Sequence, residues 1–283
     1  MPDTPEDTIA DALAFAHRLL DDVGPELRTR FGSIRQATVK GDGTLVTQAD
    51  IDADSAIAQA IGRRYPDHDL VSEELDTIYD GAPWCWIVDP IDGTTNFARG
   101  VPIWGTSIAL AHAGWPVMGI FDLPMLGIRY HAVRGQGAWE NGAPIEVLPD
   151  VDPDSGARYR LSDPALLRNH IFAICSRTPY RFAVNVPLKL RIIGSAAYNF
   201  CLAASGVSVA SLDSTPKVWD MAAGWLLVSE AGGVVVQLDG DPMFPLVAGR
   251  DYRRIAYPQL SAANMDLAED ILDHIQPTQA AAP

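Results

Sequence analysis

An α+β layered sandwich is the fold class that this sequence predicts. Two amphipathic helical patterns precede residue 65. A run of short strands with tight turns follows from Trp104 to Val147, and strands and helices then alternate from His170 to Ile275. Helices interleaved with antiparallel strands point to that class.

The elements follow in order. Thr8 to Leu27 reads as a helix, with Ile9, Leu13, Ala16, Leu19, Leu20 and Val23 on one face. Thr44 to Thr47 is extended, and a second helix from Ala49 to Arg64 turns Ile57 and Ile61 inward. Asp69–Ser72 is a strand that ends at Glu73 and Glu74, and Trp86–Asp89 is a strand that ends at a second acidic segment. From Trp104 to Val147 the turns fall at His112-Ala113-Gly114, Leu123–Gly127, Gly135-Gln136-Gly137 and Asn141-Gly142. Asn-Gly is a strong hairpin signal, so this block reads as an antiparallel meander. Asp150 to Asp163, rich in Asp, Pro, Ser and Gly, reads as a linker or surface loop. It divides an N-terminal α+β subdomain (1–150) from a C-terminal α/β subdomain (151–283). In the second part, strands are expected at His170–Cys175, Leu190–Ile193, Val207–Leu212 and Val234–Val236. Helices are expected at Ser195–Ser205, at Asp220–Glu230 with Gly232-Gly233 closing it, and at Asn264–Ile275 before a fraying Pro/Ala-rich tail.

Bulk properties exclude several classes. A chain of 283 residues with 48% hydrophobic content and mean hydropathy +0.04 suits a soluble globular protein. The net charge of −15 argues against nucleic acid as a partner, because phosphate backbones are bound by positive charge. Cys85, Cys175 and Cys201 are odd in number and have no CxxC spacing, so they read as reduced thiols in a cytoplasmic protein. The acidic start of the chain, Met1 to Asp7, has no apolar segment of the signal-peptide kind, and no apolar run is long enough to span a membrane.

The chemistry concentrates in Asp89-Pro90-Ile91-Asp92-Gly93-Thr94-Thr95-Asn96-Phe97. Two carboxylates three residues apart repel each other unless a cation lies between them, and hard divalent cations prefer oxygen ligands. Gly93-Thr94-Thr95 offers backbone N–H groups suited to an anion if a helix starts there. Metal on one side and an anion cradle on the other describe a site for phosphate ester hydrolysis. No Walker A loop is present.

With Ser72-Glu73-Glu74 upstream and Trp219-Asp220-Met221-Ala222-Ala223-Gly224 downstream, the nine-residue motif resembles the inositol monophosphatase family of Mg²⁺-dependent, lithium-sensitive phosphatases. The resemblance spans about Lys40 to Gly233 and implies an α-β-α-β-α arrangement. It implies one Mg²⁺ held by Glu73, Asp89 and the Ile91 carbonyl, a second held by Asp89, Asp92 and Asp220, and a third, weaker ion. It gives Glu73, Thr94 and Asp50 catalytic roles at the attacking water, with Glu74 beside them. Gly93, Thr94 and Thr95 would hold the phosphate; Gly194, Ser195, Ala196 and Asp213 would meet substrate hydroxyls. The family commonly has a glutamate at the position of Asp213. Other readings stand beside these. Asp220 reads equally as a helix N-cap, Asp50 as a first-turn helix acid, Asp213 as a loop acid and Lys40 as a solvated lysine. Pro179 and Pro187 leave room for only a stunted helix between Ser176 and Gly194, where several relatives have a full one. The implied function is Mg²⁺-dependent hydrolysis of a small polyol or sugar phosphate, inositol monophosphate first, in a homodimer. Alternatives are fructose-1,6-bisphosphatase or histidinol-phosphatase activity, or a regulatory binding protein that keeps the fold without catalysis.

Overall fold

The structure is a computed structural model, which describes residues 4–32, 37–39, 41 and 45–278. Lys40, Thr44 and the tail from Gln279 lie outside the described residues. The first helix, α1 (Pro5–Arg30), is longer than the apolar stripe predicts at both ends. Thr4 caps it by accepting from the Asp7 N–H, and Pro5 sits in the first turn, where a missing N–H costs nothing. β1 (Ala37–Val39) and β2 (Leu45–Thr47) form a hairpin that leads into α2 (Gln48–Arg64). β3 (Asp69–Ser72) and β4 (Trp84–Asp92) follow, and then the short α3 (Thr94–Arg99).

The predicted meander is β5 (Gly105–His112), β6 (Trp115–Leu123), β7 (Ile128–Val133), β8 (Gly137–Glu140) and β9 (Ala143–Ile145). Its last hairpin turns on Asn141 and Gly142, with φ of 49° and 81°, the left-handed pair that this tight turn requires. With β3 and β4 it makes a seven-stranded sheet in chain order, in which only β3 and β4 run parallel.

The second part contains α4 (Pro164–Leu167), β10 (Ile171–Ile174), α5 (Thr178–Arg181), β11 (Phe182–Val184) and β12 (Lys189–Ile192). Then come α6 (Ala196–Ala204), β13 (Ser208–Asp213), α7 (Val218–Glu230), β14 (Val234–Gln237), β15 (Gln259–Ala262), α8 (Met265–Leu272) and β16 (Ile275–Pro277). The second sheet runs β12-β10-β13-β15-β14. Between Ser176 and Gly194 there is one helical turn, α5, as the two prolines foretell. The last helix stops at Leu272, and Ile275 belongs to β16, which pairs with β11.

Alternation along β4 assigns the layers. Trp86 and Val88 face α1 and α2, packing with Leu20, Leu27, Ile57 and Ile61. Cys85 and Ile87 face the other way, toward α6 and α7. Those two helices also lie against the second sheet. The far face of that sheet is covered by Leu267, Ala268 and Ile271 of α8. The result is α-β-α-β-α. The helices of the middle layer come from beyond residue 151, yet they cover the sheet built before residue 150.

Contact between β6 and α7 is close. A Cβ on Gly119 would lie 2.7 Å from the Ala223 Cα. Gly119→Ala is therefore expected to lower stability in urea unfolding by about 1–3 kcal/mol, the usual cost of overpacking. Gly62→Ala, in exposed helix with nothing within 4 Å, is expected to leave stability unchanged or raise it by about 0.5–1 kcal/mol.

Candidate active site

In a regular strand, residues three apart point to opposite faces. Asp89 and Asp92 escape this rule through a bulge. Asp89 pairs with Ser107 and Asp92 with Gly105, so three steps on β4 face two on β5. The extra residue turns both carboxylates to one side. Thr106 braces the bulge by donating to the Pro90 carbonyl at 2.8 Å, and Ser107 donates to the Trp219 carbonyl at 3.2 Å.

Asp220 arrives from α7. That helix starts at Val218, so Asp220 is its third residue and not its N-cap, and its carboxylate accepts from the Lys217 N–H at 2.6 Å. Oxygens of Asp89, Asp92 and Asp220 all lie within 4.8 Å of one another. Glu73 is half-buried at the end of β3, and its charge acts on both Asp89 and Asp220.

Electrostatics at the cluster are adverse. Burial, with the charges of Glu73, Asp92 and Asp220, holds Asp89 well above the usual carboxylate range. Burial and the charges of Asp92 and Glu73 push Asp220 up to about 8. Asp92 is pushed up to about 6 by burial, against the pull of its hydrogen-bond donors. Those donors stand at the start of α6. Ser195 Oγ and the Ala197 N–H (2.9 Å) donate to Oδ2, and the Ala196 N–H donates to Oδ1 at 3.1 Å. Ser195 and Ala196, expected to meet substrate, also hold Asp92. Crowded, buried carboxylate oxygens form a donor set that fits a hard divalent cation such as Mg²⁺.

The second feature is the pair of Thr94 and Asp50. Thr94 Oγ1 lies 3.2 Å from Asp50 Oδ1 and 3.0 Å from the Ile91 carbonyl, and can donate to either. Asp50 is fully buried; it is a first-turn acid of α2 and it also faces Thr94. It is the third residue of α2, and its Oδ2 accepts from the Thr47 N–H (2.8 Å) and the Thr47 hydroxyl while Oδ1 faces Thr94. Burial pushes it up to about 6.

Gly93 precedes α3 with φ of 90°, and Gly194 has φ of 86°. The two backbones approach so closely that a Cβ on Gly93 would lie 3.1 Å from the Gly194 carbonyl oxygen. Asn96 Nδ2 joins the segments by donating to the carbonyls of Ile103 (2.7 Å) and Ile193 (2.8 Å). Thr95 occupies the first turn of α3. Asp213 is fully buried, with Oδ1 accepting from Asn199 Nδ2 at 2.9 Å. Burial and nearby negative charge hold its carboxyl well above the usual range.

Residues 9–276 match the profile of the inositol monophosphatase family. The chain belongs to this family. It is 36% identical over 245 residues to a histidinol-phosphatase of Mycobacterium tuberculosis, covering 81% of this chain and 88% of that protein. It is 32% identical over 248 residues to the Nus factor SuhB of Pasteurella multocida, covering 86% of each. Among solved structures, the Thermotoga maritima IMPase superposes with a TM-score of 0.73 at 26% identity, covering 93% of this chain and 96% of that one.

Several supporting residues of this family member escaped sequence reasoning: Asp54, Asn96, Thr106, Ser107 and Asn199. Asp54 left a signal. It shares one face of α2 with Asp50, Ile57 and Ile61, and an acid at an inward position calls for a partner.

The raised pKa values fix the sign of a pH effect. Each such carboxyl keeps a proton in the folded state that the unfolded chain releases, so stability falls as pH rises from the ordinary 3.8 through the folded values of about 6 to 8. A divalent cation favours the ionised forms and opposes this loss. Thermal melts should show Mg²⁺ raising Tm more at about pH 8 than at about pH 5.

Proposed function

We propose that this chain is a Mg²⁺-dependent phosphomonoesterase of small polyol or sugar phosphates, inositol monophosphate first. As a member of the inositol monophosphatase family it is a phosphoric monoester hydrolase. The observation that carries the reading is the convergence of Asp89, Asp92 and Asp220 within 4.8 Å, next to a threonine already paired with a buried aspartate.

In this reading Glu73, Asp89 and the Ile91 carbonyl would hold one Mg²⁺, and Asp89, Asp92 and Asp220 a second; a third would bind weakly. Bound there, such cations would supply a water of lowered pKa and positive charge for the phosphate and the leaving oxygen. The protein's own part is orientation and proton handling. Thr94 Oγ1 accepts from the attacking water and passes its own proton to Asp50 Oδ1, while Glu73 fixes the direction of attack. Backbone N–H groups of Gly93, Thr94 and Thr95 hold the phosphoryl oxygens at the start of α3. Attack is in line, without a covalent intermediate. Gly194, Ser195, Ala196 and Asp213 would meet substrate hydroxyls, with Ser195 and Ala196 also donating to Asp92.

Histidinol phosphate is the second reading, favoured by the similarity to the mycobacterial histidinol-phosphatase. A homodimer and a cytoplasmic setting belong to the same proposal; sedimentation velocity checks the first. No helix among the described residues is long and apolar enough to cross a membrane.

Phosphate release from inositol 1-phosphate, fructose 1,6-bisphosphate and histidinol phosphate, with and without Mg²⁺, tests the proposal. Release should require Mg²⁺ and favour one ester. Asp89→Asn should lose more than the ~10–100-fold typical of a supporting residue, with its fold intact by circular dichroism. Near-native turnover in that variant would sink the reading. Thr94→Ser should keep most activity and Thr94→Val should lose it, since only the first retains the hydroxyl that meets Asp50.

A further inference from the structure

We infer that Asp54 is a positioning residue for Glu73, clamping the loop that carries this glutamate to the site. The inference rests on the reading above in which Glu73 is a metal ligand. Asp54 lies on α2 one turn after Asp50 and is fully buried. Its Oδ2 accepts the Ser72 hydroxyl at 2.9 Å and the Glu74 N–H at 2.9 Å, so it grips the residue on each side of Glu73. Glu73 itself donates its N–H to the Val88 carbonyl at 3.2 Å, and the Ser72 N–H donates to the Asp76 carbonyl at 2.6 Å. The backbone that bears Glu73 is therefore fixed on both flanks and at its centre.

The arrangement gives α2 a function beyond covering the sheet. Asp50 holds Thr94, at the start of α3, and Asp54 holds the loop after β3. The two carboxylates are four residues apart on one face, about 6 Å along a rigid helix. That rod ties together two segments that leave the paired strands β3 and β4. Supporting residues of this kind orient metal ligands, and their loss weakens metal binding.

The carboxylate's two oxygens make the test selective. Both hydrogen bonds fall on Oδ2, and Oδ1 has no hydrogen-bond partner among the described residues. In Asp54→Asn the amide oxygen can take the place of Oδ2, so the clamp survives without the charge. Asp54→Ala removes both bonds, and Ser72→Ala removes one.

Titration calorimetry with Mg²⁺ alone, without substrate, reads the effect on the full-length chain and its three variants. Phosphate release against Mg²⁺ concentration is measured beside it. We expect Asp54→Asn to bind Mg²⁺ within about threefold of the native chain and Asp54→Ala to bind it ~10–100-fold more weakly, with Ser72→Ala between them. Turnover at saturating Mg²⁺ should be largely restored in all three, a split that a merely stabilising residue would not produce. Native Mg²⁺ affinity in folded Asp54→Ala, or equal loss in Asp54→Asn and Asp54→Ala, would overturn the inference. If Asp54→Ala does not fold, native affinity in Ser72→Ala overturns it. Failure of the native chain itself to bind Mg²⁺ would instead remove the underlying reading, and the role of Asp54 with it.

Discussion

Mutual repulsion among buried carboxylates is the constraint on which the site depends. Asp89, Asp92 and Asp220 bring oxygens within 4.8 Å, and the charge of Glu73 reaches two of them. In a medium of low dielectric such a group neutralises itself by keeping protons unless a cation replaces them. The upward shifts of all three aspartates express that demand. A structural reading, in which these acids cap helices or close turns, accounts for one hydrogen bond at Asp220 and three at Asp92. It does not account for their convergence.

Much of the surrounding fold offsets this cost. Asp50 and Asp220 are each the third residue of a helix, and Asp92 accepts N–H groups from the first turn of α6. Three helix N-termini thus turn partial positive charge toward acids that would otherwise be more expensive to bury. The β4 bulge delivers two acids to one side, and the close approach of Gly93 and Gly194 lets α6 reach Asp92. Local devices of different kinds converge on one small volume, which is why the site draws on segments 170 residues apart.

The fold and the acids were legible to different degrees. Periodicity placed α1 and α2, which each bury one face, and the turn residues placed the meander, whose β5 and β6 are buried on both faces. It missed β15, a central strand of the second sheet, since Gln259-Leu260-Ser261-Ala262 carries two polar residues that are buried there. It missed α3 because a six-residue helix has too few turns to show a period. The layer order came from family resemblance and not from pattern. At the site, Asp89 and Asp92 were legible through their motif, while the bulge that aligns them is a property of pairing with β5. The expectation that Ser195, Ala196 and Asp213 touch substrate followed from resemblance. Their protein partners, Asp92 for Ser195 and Ala196 and Asn199 for Asp213, come from other elements and leave no local signal.

The most direct measurement is anomalous diffraction from crystals grown with Mn²⁺ in place of Mg²⁺. The account predicts one anomalous peak between Glu73 and Asp89 and a second among Asp89, Asp92 and Asp220. Crystals saturated with Mn²⁺ that show no peak among these four residues would contradict it.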